Sequence, residues 1–257
     1  MPITYDEQKK IFKLDAKNTS YLMQVAPGGY LAHVYYGKRV PDLDLTYLLR
    51  LDEPPFTPET NDRDRASYLD SLPFEYPCFG IGDYRESAFQ ILDVNGMSTC
   101  DLRYVSHRIY QGKFYPDGLP HTFGDGAETL EITMQDAPTG MLVRLHYTVF
   151  AGLDAVIRSA SAENCGSEPV RLTRVLSASV DMDEDRFEML TLYGSWARER
   201  QVERMPLHHG KQRVDSLGGY IESSYMDGKR DVIDTDNDGY DDVTGSYIGK
   251  SRRSASY

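Results

Sequence analysis

The chain has 257 residues, with 40 Asp and Glu against 28 Lys and Arg, and a formal net charge of −12. A surface of that sign repels a phosphate backbone, which argues against nucleic acid as a partner and leaves neutral ligands open. Nineteen Tyr and nine Phe against a single Trp favour strands over helices. No apolar run approaches the ~20 residues that a membrane-spanning helix needs. The opening MPITYDEQKKIF has no secretory apolar core, so a cytoplasmic protein with no membrane partner is expected. Cys78, Cys100 and Cys165 show no metal-ligand spacing and read as free thiols of a reducing compartment.

In chain order, Ser20–Val25 and Tyr30–Tyr36 flank Pro27-Gly28-Gly29, which reads as a hairpin. Leu43–Leu51 holds two helical turns at most. The Pro-, Asp- and Arg-rich stretch from Asp52 to Tyr84 is too long for a plain connection. Its aromatics Phe56, Tyr68, Phe74, Tyr76, Phe79 and Tyr84 point to an ordered loop with a function. Beyond it, Leu130, Ile132 and Met134 alternate with Thr129, Glu131 and Thr133. After a breaker at 136–140, Val143, Leu145, Tyr147 and Val149 alternate with Arg144, His146 and Thr148. This period of two predicts two antiparallel strands with one buried side. Residues 155–164 and 169–180 repeat the pattern across Cys165-Gly166, with Val170, Leu172, Leu176 and Val180 on one face. Strands separated by turn signals, with almost no helical periodicity, predict an all-β fold, a large antiparallel β-sandwich, with an irregular acidic C-terminal tail.

Three constellations stand out. Asp83 and Arg85, two apart after Gly80 and Gly82, would share a strand face and grip hydroxyls together, or form an ordinary surface pair. In DTDNDGYDD, Asp234, Asp236 and Asp238 alternate, Gly239 permits a sharp turn, and Asp242 stands at a ninth-position ligand. Calcium takes oxygen ligands on such loops, although Gly245 occupies the twelfth position where a bidentate Glu belongs. The adjacent His208 and His209 would point to opposite faces of a strand, so a surface turn suits them better than a metal site.

Several blocks, in order, carry a resemblance: YLAHVYYGKRV, LPFEYPCFGIGDYRESAFQI, DLRYVSHRIYQGK, GLPHTF with AETLEI, RSASAEN, LSASVDM and GSWARERQVERMPL. From about Thr4 to Ser216 the chain resembles the N-terminal region of bacterial α-galactosidases of glycoside hydrolase family 36. The resemblance implies a supersandwich that precedes a (β/α)₈ barrel. That barrel carries a retaining pair of aspartates and releases terminal α-galactose from melibiose- or raffinose-type sugars. The barrel has no counterpart among these residues, so no catalytic residue carries over, and no cofactor is required. The expected role is structural, in homo-oligomers that are tetrameric in the family, with the alternative of a stand-alone carbohydrate-binding module. Loops of this domain are expected to help close a neighbouring subunit's entrance. The matching segments nominate Asp52, Arg65, Asp83 and Arg85 as sugar contacts in trans.

The chain departs from the family pattern at Ser87, where Pro is usual, and after about Ser216. The expected organisation is a family domain over residues 1–218 and a divergent acidic tail over 219–257, disordered or calcium-binding. The block Gly194–Leu207 is expected to be one strand and its flank. Its alternation places Trp196, Arg198, Arg200, Val202 and Arg204 on one side.

Overall fold

The computed structural model describes residues 2–49, 69, 71–81, 83–119, 121–182, 186–195, 197–214 and 249–251. They form two compact units, Met1–Ser179 and Val180–Tyr257.

The first unit is built on two four-stranded antiparallel meanders. One joins β1 (Ile3–Asp6), β2 (Ile11–Asp15), β3 (Thr19–Ala26) and β4 (Tyr30–Lys38). After a short β5 (Phe89–Leu92), the other joins β6 (Leu102–Gln111), β7 (Ala127–Asp136), β8 (Met141–Phe150) and β9 (Val156–Asn164). Alternation explains how they meet. Phe12, Leu14, Tyr21, Met23 and Val25 from the first sheet join Leu130, Ile132, Met134, Val143, Leu145, Tyr147 and Val149 from the second in one buried cluster. Each large side chain so buried contributes about 1.5–3 kcal/mol. The sandwich expected from the two-residue rhythm is present.

The β3–β4 hairpin also forms where expected. Gly28 and Gly29 close it at φ +81 and +83, in the left-handed region that favours glycine. Among the described residues of the Leu43–Leu51 stretch there is a single 3₁₀ turn, Thr46–Leu48. With Leu45 it lies over the outer face of the first sheet, against Ile11, Leu22 and Val34. Lys13 Nζ ties that cover down through Asp42 at 2.5 Å and Asp15 at 3.0 Å.

The structure corrects two expectations. The second sheet is not open on its polar side: Thr129, Glu131, His146 and Thr148 are all buried. Gly112 and Phe114, which follow β6, lie against this side, and Arg108 of β6 pairs with Glu131. Phe114 stacks on the His146 ring at 3.6 Å, and Thr129 Oγ1 donates to Gly112 O at 2.6 Å while meeting Thr148 Oγ1 at 2.9 Å. Thr129 and Thr148 satisfy each other, and a periodicity argument counts such groups as solvated, while His146 Nδ1 is buried without a hydrogen-bond partner.

Next, β10 (Arg171–Val175) does not fold back on β9; it pairs with β5. A bulge at Thr173 breaks the predicted face, leaving Leu172 42% exposed while Val170, Val175 and Leu176 pack on the core.

In the second unit, Gly194–Leu207 holds the expected strand, β13 (Arg198–Pro206), and its flank leads from β12 (Glu188–Ser195), which pairs antiparallel with it as a hairpin. Ala197 turns the chain at φ +63. Trp196 lies outside the described residues. Arg204 Nη1 does meet Glu188 Oε2 across the ribbon at 3.3 Å, as a solvent-exposed pair worth little. His208 and His209 are both exposed, His209 at the start of a bend. Its described residues also include a short parallel pair, β11 (Val180–Met182) with β14 (Gly249–Ser251). The remainder of the tail from residue 219 lies outside the described residues.

Candidate functional site: the Asp83–Arg85 corner and the Glu75 carboxylate

The segment from Ser71 to Ser87 runs beside β4 and is fastened to it. His33 N donates to Pro73 O at 2.6 Å, Glu75 N to Leu31 O at 3.0 Å, and Phe74 bridges Ala32. Its apolar side chains Leu72 and Phe74 are buried with Ala26, Tyr30 and Ala32. Farther along, Cys78 pairs with Phe89 in a parallel bridge, and Cys100 N donates to Phe79 O at 3.0 Å. Cys78 Sγ lies 2.8 Å from Cys100 O, and both thiols are buried and free. Contact with Cys78 and burial both push the Cys100 thiol far above its usual range, so it is held protonated.

Asp83 and Arg85 do come together, on a bend rather than a strand. Arg85 Nε donates to Asp83 Oδ1 at 2.6 Å, Nη2 to Oδ2 at 3.0 Å, and the Arg85 backbone N–H to Oδ1 at 3.0 Å. Arg85 Nη2 also donates to Leu72 O, and the guanidinium lies 5.5 Å from the Phe74 ring centroid. This fork is the strong, bidentate kind of ion pair. The Asp83 side chain is 1% exposed, so both its oxygens are committed inward. What the corner presents outward is Tyr84, 92% exposed between two locked neighbours. Arg174 pins the far side, donating to Ser87 O at 3.3 Å and pairing with Glu86. Ser87, where the resemblance led us to expect Pro, is itself buried. Asp52 and Arg65 lie outside the described residues, as do the calcium-loop aspartates Asp234, Asp236, Asp238 and Asp242. Among the described residues no group of three or more His, Cys, Asp or Glu is placed to hold a metal.

Sequence reasoning missed Glu75, a fully buried carboxylate. Tyr21 OH of β3 lies 2.7 Å from both its oxygens, and Tyr147 OH of β8 donates to Oε1 at 2.7 Å. Arg158 of β9 donates through Nη2 to Oε1, and through Nη1 to Ser179 O at 2.9 Å and Tyr21 OH at 3.0 Å. His33 Nδ1 stands 3.3 Å from Oε2. A bulge in β4 makes this possible. Leu22 pairs with Tyr35 and Met23 with His33, so the extra Val34 turns outward while His33 faces the core.

Burial alone would raise the Glu75 pKa, but the Arg158 charge, with His33 and Tyr21, outweighs it and holds the carboxyl below its ordinary value. Burial and the Glu75 charge drive the Tyr147 phenol well above its usual range. Tyr21 rises in the same way, mainly by burial, against the pull of Arg158. The cluster is therefore an ionised acceptor held by protonated donors, without a proton to give at neutral pH and without solvent access. That chemistry suits a clamp between the loop and both sheets, not general acid–base work. A pairing of buried carboxylate with Tyr and Arg from distant strands leaves no local spacing signal, which is why the sequence does not announce it.

Among the described residues no helix is long and apolar enough to cross a membrane. A family model, the glycosyl hydrolase family 36 N-terminal domain, matches residues 29–227. The α-galactosidase AgaA of Geobacillus stearothermophilus is 44% identical over 223 residues, which are 85% of this chain and 30% of the relative. The crystal structure of the family 36 α-galactosidase AgaB from the same organism superposes with TM-score 0.80 at 43% identity, covering 87% of this chain and 31% of that one. A variant of AgaA in complex with raffinose gives TM-score 0.78 at 42% identity over 84% of this chain and 30% of that one. The chain thus spans about a third of the length of the relatives it matches. A sandwich of two antiparallel meanders, matched in sequence and in coordinates, identifies the chain as a member of the glycosyl hydrolase family 36 N-terminal domain family.

Proposed function

We propose that the chain serves as the accessory β-sandwich of a retaining α-galactosidase, an enzyme that hydrolyses terminal α-galactosyl residues of melibiose- or raffinose-type oligosaccharides. The observation that carries this reading is the pattern of coverage. Five-sixths or more of this chain aligns with α-galactosidases, yet it accounts for only about 30% of their length. The role is structural and assembling: the sandwich supports an active site built by other polypeptide, within a homo-oligomer. The buried Glu75 carboxylate is tied to Arg158 and two phenols, which supports a non-catalytic part. The purified chain is then expected to give no turnover of a nitrophenyl α-galactoside above a buffer blank, and to elute as an oligomer on size exclusion with light scattering.

In this reading Asp52, Arg65 and the Asp83–Arg85 corner lie toward the sugar entrance of a neighbouring subunit. Asp83 and Arg85 act there by holding Tyr84 outward rather than by touching hydroxyls themselves. No cofactor is needed for this role, and the reading places the protein in the cytoplasm, where free thiols persist. Calcium at Asp234, Asp236, Asp238 and Asp242 is a separate proposal, supported by the alternate aspartates and Gly239. A melting temperature raised by calcium and lowered by chelator supports it, and a melting temperature indifferent to both dismisses it.

A further inference from the structure

We propose that Cys78 and Cys100 form a redox-sensitive latch: a two-electron oxidant joins them in an intramolecular disulfide that closes residues 79–99, the Asp83–Arg85 corner among them, into a ring. The two thiols belong to backbones that already meet. Cys100 N donates to Phe79 O at 3.0 Å, and the Cys78 thiol donates to Cys100 O at 2.8 Å. Backbones joined in this way run about 5 Å apart, inside the ~4.4–6.8 Å that a disulfide spans between Cα atoms. The side chains of the two cysteines are also in contact with each other.

The surroundings hold that approach. Cys78 pairs with Phe89 in a parallel bridge, and Pro77 O beside it accepts from Ala88 N at 2.7 Å and Phe89 N at 3.1 Å. Next to Cys100, Asp101 N donates to Asp136 Oδ1 at 2.8 Å, just before Leu102 opens β6. Both cysteines lie in the main core cluster, Cys78 3% and Cys100 0% exposed. Bonding them gives up only weak S–H donors, so no strong polar group is stranded in the core. Cys165, in the connection between β9 and β10, is exposed.

In the oxidation each thiol gives up one proton and one electron, and the S–S bond forms in their place. The oxidant takes up both: hydrogen peroxide leaves as two waters, and the azo compound diamide leaves as its hydrazine. Cys100 is held protonated, so the Cys78 sulfur reacts with the oxidant first. That step removes the Cys78 thiol, the largest influence on Cys100, and the Cys100 sulfur then displaces the oxidant's remnant from Cys78. Burial lets a reagent reach the pair only through local opening, so closure is slower than reaction at Cys165. In a reducing compartment the latch stays open. The inference rests on the placement of the two thiols and not on the α-galactosidase reading.

The test uses the full chain carrying Cys165→Ser, so that the exposed thiol cannot cross-link molecules, treated with diamide while folded. Intact mass should fall by two hydrogens, and peptide mapping without reductant should join the segments that hold Cys78 and Cys100. The melting temperature should rise by roughly 5–10 °C, because a closed loop restricts the unfolded chain. Dithiothreitol should restore the original mass and melt. Adding Cys78→Ser or Cys100→Ser should leave the monomer's mass unchanged on treatment. A chain that melts cooperatively yet loses no hydrogens overturns the latch. So does closure that leaves the melting temperature unchanged or lowers it, since the native backbone would then not accommodate the bond. None of these results touches the accessory-domain reading, which hydrolysis and oligomer measurements test separately.

Discussion

Replacing Arg158 by Met removes the cation that keeps Glu75 ionised inside the sandwich. The Glu75 side chain is fully buried and the Arg158 side chain 11% exposed, so water cannot substitute for the lost partner. Breaking a buried pair by removing one member costs about 3–5 kcal/mol, because a charge is left uncompensated. Against a typical total stability of ~5–15 kcal/mol, that is a large share. For a unit of this size it lowers the melting temperature by roughly 10 °C.

Tyr147→Phe is the gentler companion. It deletes one phenol donor to a charged acceptor, for about 1.5–3 kcal/mol. The double variant Glu75→Leu with Arg158→Met removes both charges and is expected to recover most of what Arg158→Met loses, since apolar replacement of a whole buried pair is often neutral. Urea unfolding followed by circular dichroism, with the slope checked for constancy, supplies the free energies. A loss below about 1 kcal/mol in Arg158→Met, or strict additivity in the double variant, would refute the claim that these groups form one clamp.

Other outcomes follow from the same geometry. His146 is buried under Phe114, and burial lowers its pKa to about 4, with Glu131 opposing and Arg108 and Arg144 assisting. The unfolded chain therefore binds a proton that the folded one refuses between pH ~6.5 and ~4, so stability is full above that window and falls as pH drops through it, by on the order of 2 kcal/mol after allowance for screening. Melting curves across this range should flatten in His146→Phe, and an unchanged slope contradicts the assignment. Asp83→Ala should cost about 2–3 kcal/mol by freeing the Arg85 fork, whereas Tyr84→Ala should stay within about 0.5 kcal/mol of wild type. Equal effects of the two would mean that the corner is not built as described. Gly28→Ala places a Cβ at φ +81 and 3.3 Å from Arg103 Nη1, and should cost about 1–2 kcal/mol in the same denaturation experiment.

Much of the fold is legible in the sequence because the two-residue rhythm of β7 and β8 runs unbroken. Leu130, Ile132, Val143 and Leu145 land in the core as their spacing says. Legibility fails where a single extra residue changes face. The bulges at Val34 and Thr173 are invisible to alternation, and the first of them is what aims His33 at Glu75. It fails again where polar side chains are buried in company. Thr129, Thr148 and His146 read as a solvated face because their partners, Gly112 and Phe114, come from a loop with no periodicity.

At the corner, residue type and spacing single out Asp83 and Arg85. What spacing could not show is that they satisfy each other, leaving Tyr84 as the exposed group. Family membership, by contrast, was carried by whole blocks in order, and these outlast local errors of register.

The account stands most directly on whether this polypeptide cleaves sugar. Incubating the purified chain, its folding confirmed by a cooperative melt, with a nitrophenyl α-galactoside is predicted to release no chromophore above the buffer blank. Sustained release that scales with protein concentration, and is abolished by Glu75→Gln, would contradict it and make the buried carboxylate a catalyst.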